Sequence, residues 1–148
     1  MDVDITYLAG FFDGEGSLGI YRGGSGGGHT LRVQLTQTAT PAVTVMFTAL
    51  RERWGGSVSE YNKSLRRPAI NWQVSGQSAA ALLKAMRPHL ILKAAQADVA
   101  IEWMELRPPR RRNALGHIEP WTAEEVAFHQ AAAKRLVELK REGLEVVA

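Results

Sequence analysis

Two pairs of alternating segments, separated by one helical segment, constrain what this chain can fold into more than any other feature. Residues 17–22 and 29–38 alternate apolar side chains with others, which predicts one pair of strands. Residues 58–61 and 69–75 predict a second pair in the same way. Between the pairs, residues 40–54 begin with Thr-Pro and carry apolar residues at helical spacing. Hairpins separated by a helix predict an antiparallel four-stranded sheet with helices on one face, an α+β architecture.

Further helices are predicted on both sides of the strand pairs. The first has Asp4 as its N-cap and Gly14 as its stop, and a Thr-Ala-Glu-Glu capping box at Thr122 opens the last. The predicted helices cover residues 5–13, 77–87, 93–106 and 122 to about 142. The predicted order is therefore αββαββ followed by helices. With 148 residues and 45% hydrophobic content, we interpret 1–148 as a single domain, with a core at about 4–106 and a helical extension at 107–148.

The composition narrows the functional classes. The chain has no cysteine, which excludes disulfides, thiolate zinc sites and a cysteine nucleophile. Its four histidines have no paired ligand spacing, so they are not predicted to bind a metal. No apolar run approaches the roughly 20 residues of a membrane span, and the N-terminus is acidic where a secretory signal is basic. We expect a soluble intracellular protein, cytoplasmic or organellar, without a membrane partner.

Charge is distributed unevenly along the chain. Residues 16–97 contain ten Lys and Arg against two acidic residues, whereas residues 113–148 contain four against six. Basic side chains gain affinity for nucleic acid by displacing counterions from phosphates. The middle of the chain is therefore predicted to bind a polyanion, with an ordinary basic surface as the alternative.

The sheet face turned away from the helices is predicted to be open and polar. Its side chains are mostly hydrogen-bonding types, and few of them are acidic. An ordinary solvated face would not require this scarcity of acids. Arg, Gln and Asn pair with base edges in the major groove of DNA, which a two-stranded ribbon can enter. We predict that this face and the loop at 62–68 bind double-stranded DNA. The predicted DNA-binding residues are Tyr21, Arg32, Gln34, Thr36, Ser59, Tyr61, Lys63, Arg66, Arg67, Asn71, Gln73 and Ser75.

The first helix is apolar nearly all the way round. Its apolar surface is larger than a single sheet face can cover. Ala9, Gly10 and Gly14 are small enough to let two such helices approach closely. A two-fold pairing with a second copy would bring the acidic C-terminal ends of two helices together, beside unpaired backbone carbonyls. Such oxygen ligands suit Mg²⁺; the alternative is that the acids only solubilise a turn. The predicted dimer interface consists of Tyr7, Leu8, Ala9, Gly10, Phe11 and Asp13.

The segment Leu-Ala-Gly-Phe-Phe-Asp-Gly-Glu-Gly at 8–16 resembles the signature of the LAGLIDADG homing endonucleases, and the αββαββ order is similar over roughly 4–106. The resemblance implies a saddle-shaped domain that dimerises through the motif helix and binds a long, near-palindromic DNA site in the major groove. It implies cleavage of both strands to leave short 3′ overhangs. The signature occurs once, which implies a homodimer. An intron-encoded enzyme is suggested, although intein and free-standing settings stay open.

The resemblance also implies the site residues and the cofactor. Glu15 would bind the metal together with the Gly14 carbonyl, and Asp13 would shape the helix end. Gln37 would position water around the metals, and Lys93 would stabilise charge on the phosphate or order solvent. Mg²⁺ or Mn²⁺ is the implied cofactor, and Ca²⁺ is expected to bind without supporting cleavage.

One departure from the family pattern concerns a second basic residue. Some relatives carry one a few positions after the glutamine, but residues 38–44 contain no Lys or Arg. The sequence leaves open whether Arg51, Arg66 or nothing replaces it.

Two other functions stay open. The same fold could serve as an RNA-splicing maturase, with an intron RNA as partner, or as a DNA-binding protein that does not cleave. A small-molecule enzyme or a structural protein has only the acidic pair at Asp13 and Glu15 in its favour.

Overall fold

The structure is a computed structural model that describes residues 1–23, 28–64 and 66–143. The sequence also predicts a hairpin loop at 23–28, between the strands of the first pair; part of it, and one residue of the loop at 62–68, lie outside the described residues. The helices are α1 Ile5–Glu15, α2 Pro41–Trp54, α3 Gly76–Met86, α4 Ala94–Leu106 and α5 Ala123–Glu142, with a short 3-10 helix at Arg87–His89. The strands are β1 Gly16–Gly23, β2 Gly28–Thr38, β3 Ser57–Tyr61 and β4 Ala69–Ser75.

The four strands form one antiparallel sheet in the order β1-β2-β4-β3. The two hairpins therefore meet through β2 and β4, with Leu35 opposite Trp72 at the centre. This arrangement confirms the predicted α+β fold with an antiparallel four-stranded sheet.

The core lies between one face of the sheet and the helices. Apolar residues at every second strand position are buried there, because successive side chains of a strand point to opposite faces. The helices bury their apolar stripes against the same face. The largest fully buried side chains are Trp72, Phe12, Phe47, Leu8, Leu18, Leu31, Leu35, Leu50, Ile70, Leu82, Leu83 and Met86.

The predicted helix N-caps are confirmed. The Asp4 carboxylate accepts from the backbone N–H of Thr6, and the Thr40 hydroxyl accepts from that of Val43. Thr122 and Glu125 form the predicted capping box at the start of α5. These side chains satisfy N–H groups that a helix start leaves without partners.

The predicted end of α1 was wrong. Helix α1 continues through Gly14 to Glu15, and Gly16 is its C-cap. A glycine inside a helix lowers stability by about 1 kcal/mol, but the helix here is anchored by tertiary contacts of the two residues just before Gly14. Phe12 is buried in the core, and Asp13 is bound to the segment before α4.

The C-terminal segment packs on the same core. Helix α5 lies against α4 and β1 and buries Leu136 and His129. Among the described residues, no helix is long and apolar enough to cross a membrane.

Candidate functional site

Asp13 ties the end of α1 to the start of α4. Its carboxylate accepts hydrogen bonds from the backbone N–H groups of Ile91, Leu92 and Lys93, at 2.7, 3.2 and 2.9 Å. A helix N-terminus has unpaired N–H groups and a partial positive charge, so a carboxylate is stabilised there. Asp13 is 9% exposed. Its carboxylate is therefore committed to holding two elements together.

Lys93 is held by the same contact. It occupies the N-cap position of α4, and its Nζ donates to the Asp13 carbonyl at 2.6 Å. Burial lowers the pKa of the Lys93 ammonium, and the negative charges of Asp13 and Glu15 act in the opposite direction. The ammonium is thus fixed near the end of α1, where it interacts electrostatically with Glu15.

Glu15 meets a different environment from Asp13. It is the last residue of α1, and both Glu15 and Gly14 are exposed. Two neighbouring carbonyls of the last turn already have partners, because that of Phe12 accepts from the Gly16 N–H and that of Asp13 accepts from Lys93. Glu15 is therefore the carboxylate at this helix end that is turned to solvent.

Gln37 lies near this helix end through the register of the sheet. Gly16 pairs with Leu35, so Gln37 extends two residues, or about 7 Å, beyond the start of β1. Strand alternation places it on the same side of β2 as Leu35, the side that carries the helices. The predicted site residues Glu15, Gln37 and Lys93 thus come from the ends of three different elements at one edge of the fold.

An open cleft adjoins this edge. It has a volume of about 430 Å³ and is lined by Asp13, Gly16, Ser17, Leu92, Lys93, Gln96, Lys140 and Gly143. Lys140 and Gly143 belong to the end of α5, which the sequence did not connect with the site.

The outer sheet face is polar, and the strand register shows which residues lie on it. Arg32 is flanked by Gly19 and Ser75, Gln34 by Ser17 and Gln73, and Thr36 by Asn71. Residues that pair directly share a face, so the strand residues predicted to bind DNA all lie together. Of the described residues in the four strands, none on this face is acidic, because the only strand acid, Glu60, pairs with buried Ile70 and faces the other way.

The register adds residues that the sequence analysis missed. Ser17, Thr30 and Ser57 lie on the outer face, opposite Gln34, Tyr21 and Gln73. Alternation along their own strands could have indicated them. Lys63, Arg66 and Arg67 are exposed in the β3–β4 loop, at one end of this face.

Contacts within the outer face orient several of its side chains. The Arg32 guanidinium lies 4.9 Å from the centre of the Tyr21 ring. The Thr36 hydroxyl donates to Asn71 Oδ1 at 2.9 Å. Such contacts reduce the number of rotamers that a binding partner would have to immobilise.

Comparison with solved structures gives matches over nearly the whole chain. The homing endonuclease I-CvuI, in complex with its target, has a TM-score of 0.62 at 18% identity, covering 97% of this chain and 96% of that chain. I-TnaI, also a homing endonuclease, has a TM-score of 0.58 at 17% identity, covering 97% and 99%. The meganuclease I-SmaMI, bound to uncleavable DNA, has a TM-score of 0.59 at 18% identity, over 93% of this chain and 44% of its own.

The chain has the fold of the LAGLIDADG homing endonucleases. No family model matches the sequence, and no curated relative matches it. The likeness is therefore one of fold.

Within this LAGLIDADG fold, α1 has one buried and one exposed side. Leu8 and Ala9, both predicted at a dimer interface, are 1% and 0% exposed in the core of their own chain. Their side chains, like that of Asp13, are thus not available to a second copy. Tyr7 is 59% exposed, Gly10 is exposed and Phe11 is partly buried. The exposed side consists of Tyr7, Gly10, Phe11 and Gly14, spaced as one helix face.

The donor atoms at the end of α1 fit a hard divalent cation. Glu15 supplies an exposed carboxylate and Gly14 belongs to the same exposed turn, and Mg²⁺ prefers oxygen ligands of this kind. Within residues 1–23, 28–64 and 66–143, no group of three or more His, Asp or Glu side chains is placed to hold a metal. In one copy of this LAGLIDADG fold, Glu15 is the exposed carboxylate that a divalent cation at this position would contact.

A second buried cluster, which the sequence did not predict, involves two histidines. His29 on β2 and His129 on α5 stack with ring centres 5.1 Å apart, and the Trp103 indole donates to His129 Nδ1 at 3.1 Å. Trp121 and Phe128 pack edge-on against His129. This cluster fastens α5 to the sheet in the LAGLIDADG fold.

Proposed function

We propose that this chain is a site-specific endonuclease that cuts both strands of DNA, acts as a homodimer and uses divalent metal ions. The observation that carries the proposal is the geometry at the end of α1. Glu15 is exposed there, and Lys93 is fixed beside it by Asp13. The fold, shared with homing endonucleases solved with DNA, supports the same function.

Target recognition is assigned to the outer sheet face. Its Arg, Gln, Asn and Thr side chains are the types that pair with base edges in the major groove. Lys63, Arg66 and Arg67 at its end are suited to phosphates, which fix the register of a protein on the duplex. The absence of acids from the described strand residues of this face removes the main source of repulsion from DNA.

Dimerisation is assigned to the exposed side of α1. A two-fold pairing through Tyr7, Gly10, Phe11 and Gly14 would cover apolar surface that the chain itself leaves exposed. It would also place two copies of Glu15 close together. Cleavage of both strands then requires the dimer, because each copy provides one of the two carboxylates.

Each residue has a distinct part in hydrolysis. Glu15, with the Gly14 carbonyl, would hold Mg²⁺, which when bound polarises the phosphate and activates water. Gln37 can hydrogen-bond the attacking water, and Lys93 can place a positive charge beside the phosphate oxygens. Asp13 is a positioning residue, because it acts through the backbone and side chain of Lys93.

A cleavage selection tests the proposal. The purified chain would be incubated with Mg²⁺ and a library of near-palindromic duplexes, and the cut ends would be sequenced. We expect a defined site, no cleavage by Glu15→Gln, and retained binding by that variant in Ca²⁺. Glu60→Gln is the matched control, since Glu60 is exposed on an edge strand and faces away from the outer face.

Three results would contradict the proposal. Tight binding of a duplex without cleavage by the wild type would favour a non-cleaving DNA-binding protein, and stronger binding to structured intron RNA than to duplex DNA would favour a maturase. If analytical ultracentrifugation showed a monomer at micromolar concentration, the site with two carboxylates could not form.

A further inference from the structure

The cleft beside the end of α1 contains two lysines from distant parts of the chain. Lys93 comes from the start of α4 and Lys140 from the last turn of α5. Lys140 is partly buried, whereas Lys134 on the same helix is 79% exposed. The fold thus directs one lysine of α5 toward the site and another toward solvent.

No acid of the described chain neutralises Lys140. Ion pairs at the end of α5 use Arg135, which binds Glu138 at 3.5 Å and Glu142 at 3.1 Å. The Asp13 carboxylate, the acid that lines the cleft, is occupied by three backbone N–H groups. Among residues 1–23, 28–64 and 66–143, Lys140 has no ion-pair partner.

The two ammonium groups affect each other. Burial lowers the pKa of Lys140, and the charge of Lys93 lowers it further. Two like charges in a partly desolvated cleft repel each other unless an anion lies between them. A phosphate group would relieve this repulsion, because its oxygens can accept hydrogen bonds from both lysines.

A third residue also indicates that the cleft takes a ligand or ordered water. Gln96 is 8% exposed and lines the cleft, and its Oε1 is buried without a hydrogen-bond partner in the described chain. Buried polar atoms almost always have partners. A water molecule held between Gln96 and a bound phosphate would supply one.

We infer that Lys140 is the second basic side chain of this active site and contacts, together with Lys93, the phosphate that is cut. The inference rests on the proposed endonuclease function and identifies the basic group missing from residues 38–44. The Lys140 ammonium stabilises negative charge that develops on the phosphate oxygens. The C-terminal helix is then part of the active site.

The first test compares Lys140→Met with Lys134→Met, a matched change on the same helix. Single-turnover cleavage of the selected site by Lys140→Met should fall about 10²- to 10³-fold, the scale of losing one electrostatic contact to the transition state. Affinity for the same duplex in Ca²⁺ should change much less, and Lys140→Arg should restore most of the rate. Methionine preserves the length and apolar stem of Lys140, and thermal unfolding would verify that the fold is retained.

The second test does not depend on cleavage. The chain has five lysines, so reductive methylation with ¹³C gives a small set of NMR signals that lysine substitutions can assign. Adding inorganic phosphate should shift the signals of Lys93 and Lys140 together and leave that of Lys134 unchanged. Independent shifts, or none, would overturn the shared phosphate contact.

The two tests separate the two proposals. If the wild type cuts its site and Lys140→Met cuts it within twofold of that rate, the role of Lys140 is wrong and the endonuclease stands. If the wild type cuts nothing while Lys93 and Lys140 shift together with phosphate, the endonuclease fails and the anion contact stands.

Discussion

The two sides of α1 have opposite environments although both are apolar in sequence. One side is buried in the chain's own core and includes Leu8, Ala9, Phe12 and Asp13. The other is turned outward and includes Tyr7, Gly10, Phe11 and Gly14, of which Phe11 is partly covered. One short helix can therefore stabilise the domain through one side and offer a contact surface through the other.

The same division separates the two acids at the end of α1. Asp13 is on the buried side and accepts three backbone hydrogen bonds, whereas Glu15 is exposed. Two carboxylates separated by a single residue thus have different parts: one holds Lys93 in place, and the other can bind a ligand.

The largest effect on stability is expected for Leu8→Ala. Leu8 is 1% exposed, and removing a buried leucine side chain lowers the free energy of unfolding by about 2–5 kcal/mol. Urea denaturation measures the loss. Tyr7→Ala is the control from the exposed side, and any loss it causes should depend on protein concentration. An equal, concentration-independent loss for both variants would show that the two sides do not differ.

The next effect is expected for Asp13→Asn. The neutral amide presents an N–H group where a carboxylate accepted three hydrogen bonds, so the free energy of unfolding should fall by about 1.5–3 kcal/mol. Cleavage should fall as well, because Lys93 loses its anchor. Glu15→Gln should abolish cleavage without lowering stability. If Glu15→Gln destabilised the chain as much as Asp13→Asn, the division between the two acids would be wrong.

A smaller effect, of opposite sign, is expected for Gly10→Ala. An added Cβ meets no atom within 4 Å, so the monomer should gain about 0.5–1 kcal/mol from reduced backbone freedom. The same methyl group would separate two α1 helices, so sedimentation should show weaker dimerisation. Gly16→Ala is the contrasting control, since its Cβ would collide with the Phe12 ring. Unchanged dimerisation in Gly10→Ala would place the interface elsewhere.

The smallest effect concerns pH and the cluster that fastens α5. Burial is the main cause that lowers the pKa of both His29 and His129, and for His129 the nearby His29, Arg107 and Arg110 lower it further while Glu125 opposes them. The unfolded chain then takes up protons more readily than the folded one. Stability from this cluster is therefore present above pH 6.5, the ordinary pKa, and lost as pH falls below it.

Thermal unfolding between pH 7.5 and 5.5 measures this dependence. In His129→Gln the loss on acidification should be smaller, and Gln can still accept from Trp103. Asp13→Asn should keep the full loss, because its contacts lie at α1 and not in this cluster. Equal slopes in His129→Gln and the wild type would exclude His129 as the titrating group.

Most secondary structure was predictable because its signals are local. Strand alternation and the caps at Asp4, Thr40 and Thr122 depend on neighbours in sequence. The end of α1 was missed because Gly14 is a local stop signal that the buried contacts of Phe12 and Asp13 override. Local propensity is weaker than such tertiary contacts.

The candidate site was predictable only in part. The motif resemblance indicated Glu15, Gln37 and Lys93 from matching positions, and their roles stay predictions. It could not indicate which residues share the cleft, because Lys140 belongs to an extension outside the matched segment. The stacking of His29 on His129 was missed for a similar reason, since contacts distant in sequence leave no local pattern.

Residue order alone specified the antiparallel sheet, the polar outer face and the acidic end of α1, since all three follow from patterns with periods of two or 3.6 residues. The packed fold was needed to establish which side of α1 is buried, which acid is committed to α4 and which lysine enters the cleft. Those outcomes depend on how separate elements pack, and packing is set by shape and burial across the whole core rather than by any one segment.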